Sequence, residues 1–163
     1  MSASQREKGK RGELELAAAL TILTGVAWRR TAQRCGTHTG DVEADGVPVH
    51  VECKRYRSGL SLIVARMHKR EALLCITPNA WVCRLDHLGA CLRGPFRGAV
   101  CSATRSPALL HDALIQAERD RRTECVSLVC AREDMGPWLC SWSPRDTQLL
   151  RDRLLPLLAS VQA

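Results

Sequence analysis

The sequence predicts an α/β chain, a central mixed β-sheet flanked by helices, with an extra strand-strand-helix unit. Three observations carry this. Val47, Val49, Val51 and Cys53 alternate with Pro48, His50, Glu52 and Lys54, which is the period of a half-buried strand. The segment from Glu13 to Leu23 is rich in strong helix formers. An apolar strand, a turn, a tryptophan-bearing strand and a Leu-rich segment occur twice, over residues 73–92 and 125–154. Either the second half repeats an element, or one copy is an insertion in a smaller fold, and which copy completes the central sheet is open at this level. The length, 163 residues, suits one domain over residues 1–163 that buries most of its apolar surface without staples.

Taken in order, Gly12 is expected to open the first helix and Gly25 to stop it. Glu13, Leu16 and Leu20 fall at i, i+3 and i+7, so Glu13 borders the apolar stripe, while Glu15 lies on another side with Ala18 and Ala19. An acidic first turn also suits the helix dipole, so capping is an alternative account of both glutamates. Val26 to Thr31 reads as a strand, residues 32–40 as a polar loop, and Asp41 to Ala44 as a short strand. Asp45-Gly46 is a hairpin turn into Val47 to Lys54. Residues 61–70 are weakly helical, and Leu73 to Thr77 and Trp81 to Leu85 are two buried strands around Pro78-Asn79. Residues 95–107 form an internal connector. Ser106-Pro107 starts a helix expected over Leu109 to Arg122. Cys125 to Ala131 and Trp138 to Trp142 are strands around Gly136-Pro137, and Ser143-Pro144 is expected to cap a last helix from Arg145 to about Leu158.

No apolar run approaches the roughly 20 residues of a membrane span. The stretch Met1 to Lys8 has no apolar core after its charges, so no secretory signal and a cytoplasmic location are expected. The nine cysteines are odd in number and include no C-x-x-C pair. Several lie in apolar strands, Cys75, Cys83 and Cys130 among them, where they read as small buried hydrophobes in the reduced state. A metal or redox role is the alternative.

The net charge of +7 is unevenly placed. Arg6, Lys8, Lys10 and Arg11 form one basic group, and Arg29, Arg30 and Arg34 a second. The third is Lys54, Arg55, Arg57, Arg66, Lys69 and Arg70, a tract with no acidic residue. Such clusters attract a phosphate backbone and release its counterions. Lys8, Lys10, Arg11, Arg29, Arg30, Arg34, Arg55 and Arg57 are therefore candidate DNA contacts. Solubility is the alternative reading, and for Arg29, Arg30 and Arg34 so is an edge strand blunted by charge.

These groups surround the most constrained part of the chain. Glu52 and Lys54 project from one face of their strand, and Asp41 faces them from the preceding turn. Carboxylates beside an ammonium can hold a hard divalent cation next to a charged lysine, which suits phosphodiester hydrolysis. A salt-bridged surface strand is the alternative. Glu43, already inside its strand, ranks behind Asp41. His50 shares the Glu52 face and is expected at the open end of the strand as a structural residue. Trp81, Trp138 and Trp142 read as core. With one Phe and one Tyr, the chain lacks the makings of an aromatic single-strand-binding surface.

The order helix glutamate, hairpin aspartate, then Glu-x-Lys on the next strand resembles the PD-(D/E)xK nuclease superfamily. Lys8-Gly9-Lys10-Arg11-Gly12-Glu13 and the tract Arg29 to Lys54 look most like its Holliday-junction-resolvase-type members, small phage-encoded ones included. That likeness covers residues 8–57. A softer one covers Ala113 to Trp142, with Gln116-Ala117 on a helix, then Val126-Ser127-Leu128-Val129 and Pro137-Trp138-Leu139. The chain departs from the pattern in having Gly40-Asp41 where many members have Pro-Asp. It also has a long stretch between Lys54 and the Gln116 helix, which leaves the sheet order and any role of Gln116 open.

The resemblance implies a restriction-endonuclease-like core. It implies that Asp41 and Glu52 bind Mg²⁺, for which Mn²⁺ can substitute, with the Cys53 backbone carbonyl as a further ligand. Glu13 would be the outer carboxylate, reaching the metal through water. Lys54 would orient or activate the attacking water and stabilise charge on the phosphate. Gln116 and His50 are additional candidates. The implied activity is that of a Mg²⁺-dependent DNA endonuclease of recombination, cutting branched DNA such as Holliday junctions. It would work as a homodimer, without a membrane partner, in the cytoplasm of a bacterial or phage-infected host cell. A catalytically inactive nuclease-like module that binds nucleic acid or protein is the alternative, and a cysteine-based metal or redox protein a third reading.

Overall fold

The computed structural model describes residues 3–31, 40–60, 63, 73–77, 80–94, 99–100 and 106–160. In chain order its elements are α1 (Ala3–Thr24), β1 (Trp28–Arg30), β2 (Val42–Ala44), β3 (Val49–Tyr56), β4 (Leu73–Thr77) and β5 (Ala80–Arg84). They continue with α2 (Leu88–Arg93), β6 (Ala99–Val100), α3 (Ser106–Asp120), β7 (Val126–Glu133), β8 (Leu139–Trp142) and α4 (Thr147–Ser160). Expectations for Arg34, the loop 32–39, most of 61–70, and 95–98 and 101–105 of the connector lie outside the described residues.

The sheet order is β1-β2-β3-β7-β8-β5-β4-β6. The β3–β7 and β4–β6 neighbours run parallel and the others antiparallel, so the sheet is mixed. Parallel neighbours need a crossover, and α3 lies on the chain between β3 and β7 and packs on both. Odd-numbered β3 residues face one side: Val49 and Val51 join Leu16 and Leu20 of α1, Leu88 and Leu92 of α2, and Leu150, Leu154 and Leu158 of α4 in one core. The other face packs Val82, Val129, Ala131 and Leu139 against Leu110, Ala113, Leu114 and Ala117 of α3, with Leu60 and Ile63. Burying Leu110 and Leu114 is worth about 1.5–3 kcal/mol each, enough to seat α3 firmly over β7.

This order settles the repeat. The second copy supplies β7 and β8 and completes the sheet beside β3, whereas the first adds β4 and β5 beyond β8. Both copies run from a strand through a short 3-10 turn, Leu85–His87 or Pro144–Asp146, straight into a helix. Their strands meet in register, with Trp81 opposite Trp142. A two-residue strand, β6, lies within the expected connector.

Three local expectations are corrected. Helix α1 begins at Ala3, well before Gly12. Gly12 lies inside it, where a Cβ would meet the Arg55 Cδ at 2.6 Å, so the glycine allows close packing on β3 and does not start the helix. Ser143 makes no side-chain cap, because a 3-10 turn precedes α4. Strand β1 is shorter than Val26 to Thr31. The stop at Gly25 is as expected: at φ 69° its N–H donates to the Thr21 carbonyl at 2.9 Å.

The cysteines show an order that only register reveals. Cys53, Cys130, Cys140 and Cys83 are cross-strand partners on four neighbouring strands, forming one row of thiols on the α1 side, with Cys130 Sγ 3.6 Å from Cys140 Sγ. Among the described residues no helix is long and apolar enough to cross a membrane.

Candidate active site

Strands β2 and β3 are bridged at Val42 and Val51 and then part. Asp41 sits at that fork. Its N–H donates to the Val51 carbonyl at 2.8 Å, and its Oδ2 accepts the Cys53 N–H at 2.8 Å. The carboxylate thus takes the place that a longer β2 would have filled. In an extended strand a residue's N–H and C=O point to the same edge, so the Cys53 carbonyl faces the fork as well. Gly40 permits this approach: a Cβ there would lie 2.6 Å from the Val51 oxygen and 2.7 Å from its nitrogen. Thr31, which sequence reasoning missed, braces the same turn. Its N–H donates to the Asp41 carbonyl at 3.0 Å and its hydroxyl to the Gly40 carbonyl. Nothing in the residue type announces that role.

Even-numbered residues of β3 face α3. The Lys54 Nζ donates to Glu52 Oε1 at 2.6 Å and to Gln116 Oε1 at 3.3 Å, while Gln116 Nε2 donates to the same Glu52 oxygen at 3.4 Å. Gln116 therefore joins the Glu52–Lys54 pair despite its distance in sequence. His50 lies on this face too, but at 3 % exposure it is buried and not at an open strand end. Its Nε2 is 3.8 Å from Glu52 Oε2.

The electrostatics follow from this crowding. Burial pushes the Asp41 carboxyl up, and the charges of Glu52 and Glu13 push it further; the Cys53 N–H and Lys54 pull back, leaving it at about 6 against 3.8 for an ordinary aspartate. Burial would raise Glu52 as well, but His50 and Lys54 outweigh it and hold this carboxyl below its usual range. The site therefore pairs a firmly ionised glutamate with an aspartate poised near neutrality. Burial, reinforced by the Asp41 charge, lifts the Cys53 thiol far above its usual value, so the metal-free thiol stays protonated at neutral pH.

Glu13 is buried at 9 % exposure on the α1 side of the fork, in an ion pair with Arg30. It is near enough to raise Asp41, but in this state its charge is committed to Arg30. The remaining basic candidates are spread out. Arg29 pairs with Asp45 at 2.7 Å and with Glu43, the second-ranked ligand, at 3.3 Å. Lys8 reaches Asp134 at 2.7 Å, Lys10 reaches Glu7 at 3.1 Å and Arg11 lies 3.8 Å from Glu15. Arg55 is largely buried between Glu15 and Asp134, tying α1 to the end of β7. Arg57 is exposed at the end of β3. Trp138 and Trp142 are core, as expected, and Trp138 lies under the Arg132 guanidinium at 5.1 Å.

Among the described residues no group of three or more His, Cys, Asp or Glu side chains is disposed to hold a metal ion. Mg²⁺ asks for less: one or two carboxylates and retained water. Asp41, Glu52 and the Cys53 carbonyl offer only oxygen donors, and the Asp41 carboxyl is raised first by its burial and then by the Glu52 charge. Oxygen donors are the kind that a hard divalent ion accepts. Compared with protein-family models, curated proteins and solved structures, the chain matches none.

Proposed function

We propose that the chain is a Mg²⁺-dependent DNA endonuclease of PD-(D/E)xK type, built on a restriction-endonuclease-like core and acting on branched DNA. The observation that carries this reading is that the Asp41 carboxylate is held against Cys53, the residue between Glu52 and Lys54 on β3. The aspartate is fixed by the Cys53 N–H at 2.8 Å and the lysine by Glu52 at 2.6 Å. The order of α1, three antiparallel strands, the α3 crossover and a parallel β7 supports the core assignment.

When bound, Mg²⁺ would polarise a phosphoryl oxygen and lower the pKa of a ligated water. Asp41, Glu52 and the Cys53 carbonyl are the groups that would hold it. Lys54 presents a compact positive charge where negative charge grows on the phosphate, and its bond to Glu52 keeps it there. Gln116 restrains both partners, because its amide meets the lysine with its oxygen and the glutamate with its nitrogen. Cutting a four-way junction takes two symmetric incisions, so a homodimer with two such sites is the working assembly.

The test is a panel of labelled duplex, flap, single-stranded and four-way-junction DNAs incubated with protein and Mg²⁺. Symmetric nicking confined to the junction is expected, and degradation from ends would instead assign an exonuclease. Glu52→Ala and Lys54→Ala should abolish cleavage while DNA binding survives. Full activity in either variant, together with indifference to EDTA, would overturn the assignment.

A further inference from the structure

Glu52 uses its two oxygens unequally. Oε1 accepts from Lys54 and Gln116, whereas Oε2 faces His50 Nε2 across 3.8 Å. That gap exceeds hydrogen-bond distance. His50 Nε2 is nevertheless buried, and among the described residues no group comes within hydrogen-bond distance of it. An unpartnered polar atom in the interior is costly and calls for an explanation. If Nε2 carries the proton, it favours the ionised Glu52 from across that gap without closing a hydrogen bond. If it does not, a lone pair faces a carboxylate oxygen. In either case a cation held by both atoms would satisfy them.

A cavity adjoins His50. His50 forms part of the wall of a cavity of about 330 Å³, together with Gly40, Glu43 and Arg122. Gly40 directly precedes Asp41, whose carboxylate accepts the Cys53 N–H at 2.8 Å. Imidazole nitrogen distinguishes this position from the oxygen donors of Asp41, Glu52 and the Cys53 carbonyl: Mg²⁺ prefers oxygen, whereas first-row transition ions accept nitrogen and oxygen together. Among the described residues no third His, Cys, Asp or Glu joins the pair, so water or a substrate phosphate would fill the other coordination positions.

We propose that His50 Nε2 and Glu52 Oε2 form a second cation position, selective for a first-row transition ion over Mg²⁺, with Glu52 bridging it to the Asp41 position. The inference rests on the reading of Glu52 as a ligand and adds to it a nitrogen donor that the chemistry of Mg²⁺ does not need. It makes His50 the residue that sets metal preference.

Mn²⁺ is the probe. The full-length metal-free protein is titrated with Mn²⁺ in excess Mg²⁺, the loss of free-Mn²⁺ paramagnetic signal gives the affinity, and electron-spin-echo modulation reports directly bound nitrogen. The expected result is a Mn²⁺ site that excess Mg²⁺ does not displace and that shows nitrogen coupling. His50→Gln and His50→Asn should lose that coupling and weaken Mn²⁺ about tenfold or more, with Mg²⁺ binding nearly unchanged. Absence of nitrogen coupling in the wild-type protein overturns the proposal without recourse to any variant, and so does unchanged Mn²⁺ affinity in both folded variants. None of these readouts involves DNA. A protein that cuts no DNA but shows His50-dependent coupling sinks the nuclease reading alone, whereas one that cuts DNA without the coupling sinks this inference alone.

Discussion

The Asp41 carboxylate accepts the Cys53 N–H at 2.8 Å where β2 parts from β3, and this one bond places an acidic group in a position that backbone would otherwise occupy. The fork spares Cys53 an unpaired donor, and in exchange Asp41 is buried near Glu52 and Glu13. Its carboxyl is raised to about 6 as a result. The candidate site is thus a place where the fold holds an unfavourable charge, and its consequences for stability can be measured.

Asp41→Asn should stabilise the metal-free protein. The folded chain holds the Asp41 proton more tightly than the unfolded chain, so this group's contribution is intact below pH 3.8 and lost as pH rises through about 6. The asparagine oxygen still accepts the Cys53 N–H but carries no charge. At pH 7.5 without metal, Asp41→Asn should gain about 1–3 kcal/mol, or some 2–4 °C in Tm per kcal/mol. At pH 3.5 the gain should vanish. Urea denaturation at both pH values decides, and a loss of stability at pH 7.5 would contradict the electrostatic account.

The same proton governs metal binding. A cation entering between Asp41 and Glu52 must displace it, whereas Glu52 is already ionised. Apparent Mg²⁺ affinity should therefore be flat above pH 7 and fall below about 6, approaching roughly tenfold per pH unit. Calorimetry in two buffers of different ionisation heat should detect protons released on binding at pH 6 and few at pH 8. Equal release at both would place the ion elsewhere.

Which parts of this were legible in the sequence follows from what kind of information each required. The two-residue alternation through Val51, Glu52, Cys53 and Lys54 reports a strand and its faces directly, so the Glu52–Lys54 pair could be read without coordinates. Asp41 was legible as a turn residue just ahead of it. Partner strands were not, because β4–β5 and β7–β8 carry the same apolar-turn-tryptophan pattern and only packing of α3 selects β7 as the neighbour of β3. Gln116 depends on that choice, and so does the row of cysteines. Gly12 misled for a different reason: a helical glycine under the Arg55 side chain looks the same in sequence as a helix boundary. The burial of His50 and the Glu13–Arg30 pair are tertiary facts with no local signature.

Gly40→Ala tests whether the close approach at the fork is required. The added Cβ would meet backbone atoms of Val51 at 2.6 and 2.7 Å, and backbone in the middle of a sheet cannot rotate away. A cost of about 1–3 kcal/mol is expected, as for other overpacked sites, with cleavage reduced by more than about tenfold because Asp41 moves with the turn. Gly46→Ala is the control. It has open space around its Cβ but a φ of +75°, so it should cost only about 1 kcal/mol of backbone strain and leave cleavage intact. Equal effects of the two substitutions on activity would remove the fork from the argument.

Arg30 and Arg57 separate charges that serve the fold from charges that serve a nucleic acid. Both belong to basic groups that look alike in sequence, but Arg30 is paired with the buried Glu13 whereas Arg57 is exposed beyond the Lys54 end of β3. Each phosphate contact contributes about 0.9 to the slope of log affinity against log salt. Arg57→Ala should lower that slope by about one, with little change in stability. Arg30→Ala should leave the slope unchanged, but strand Glu13 as a buried, unpaired carboxylate next to Asp41. Breaking a buried pair from one side is strongly destabilising, about 3–5 kcal/mol for full burial and less here, where the arginine is partly exposed. Salt titrations of DNA binding by the two variants, read beside their melting curves, test both halves. A slope change in Arg30→Ala that matches the one in Arg57→Ala would mean that the guanidinium leaves Glu13 for phosphate when DNA arrives, freeing Glu13 for the metal-bound water.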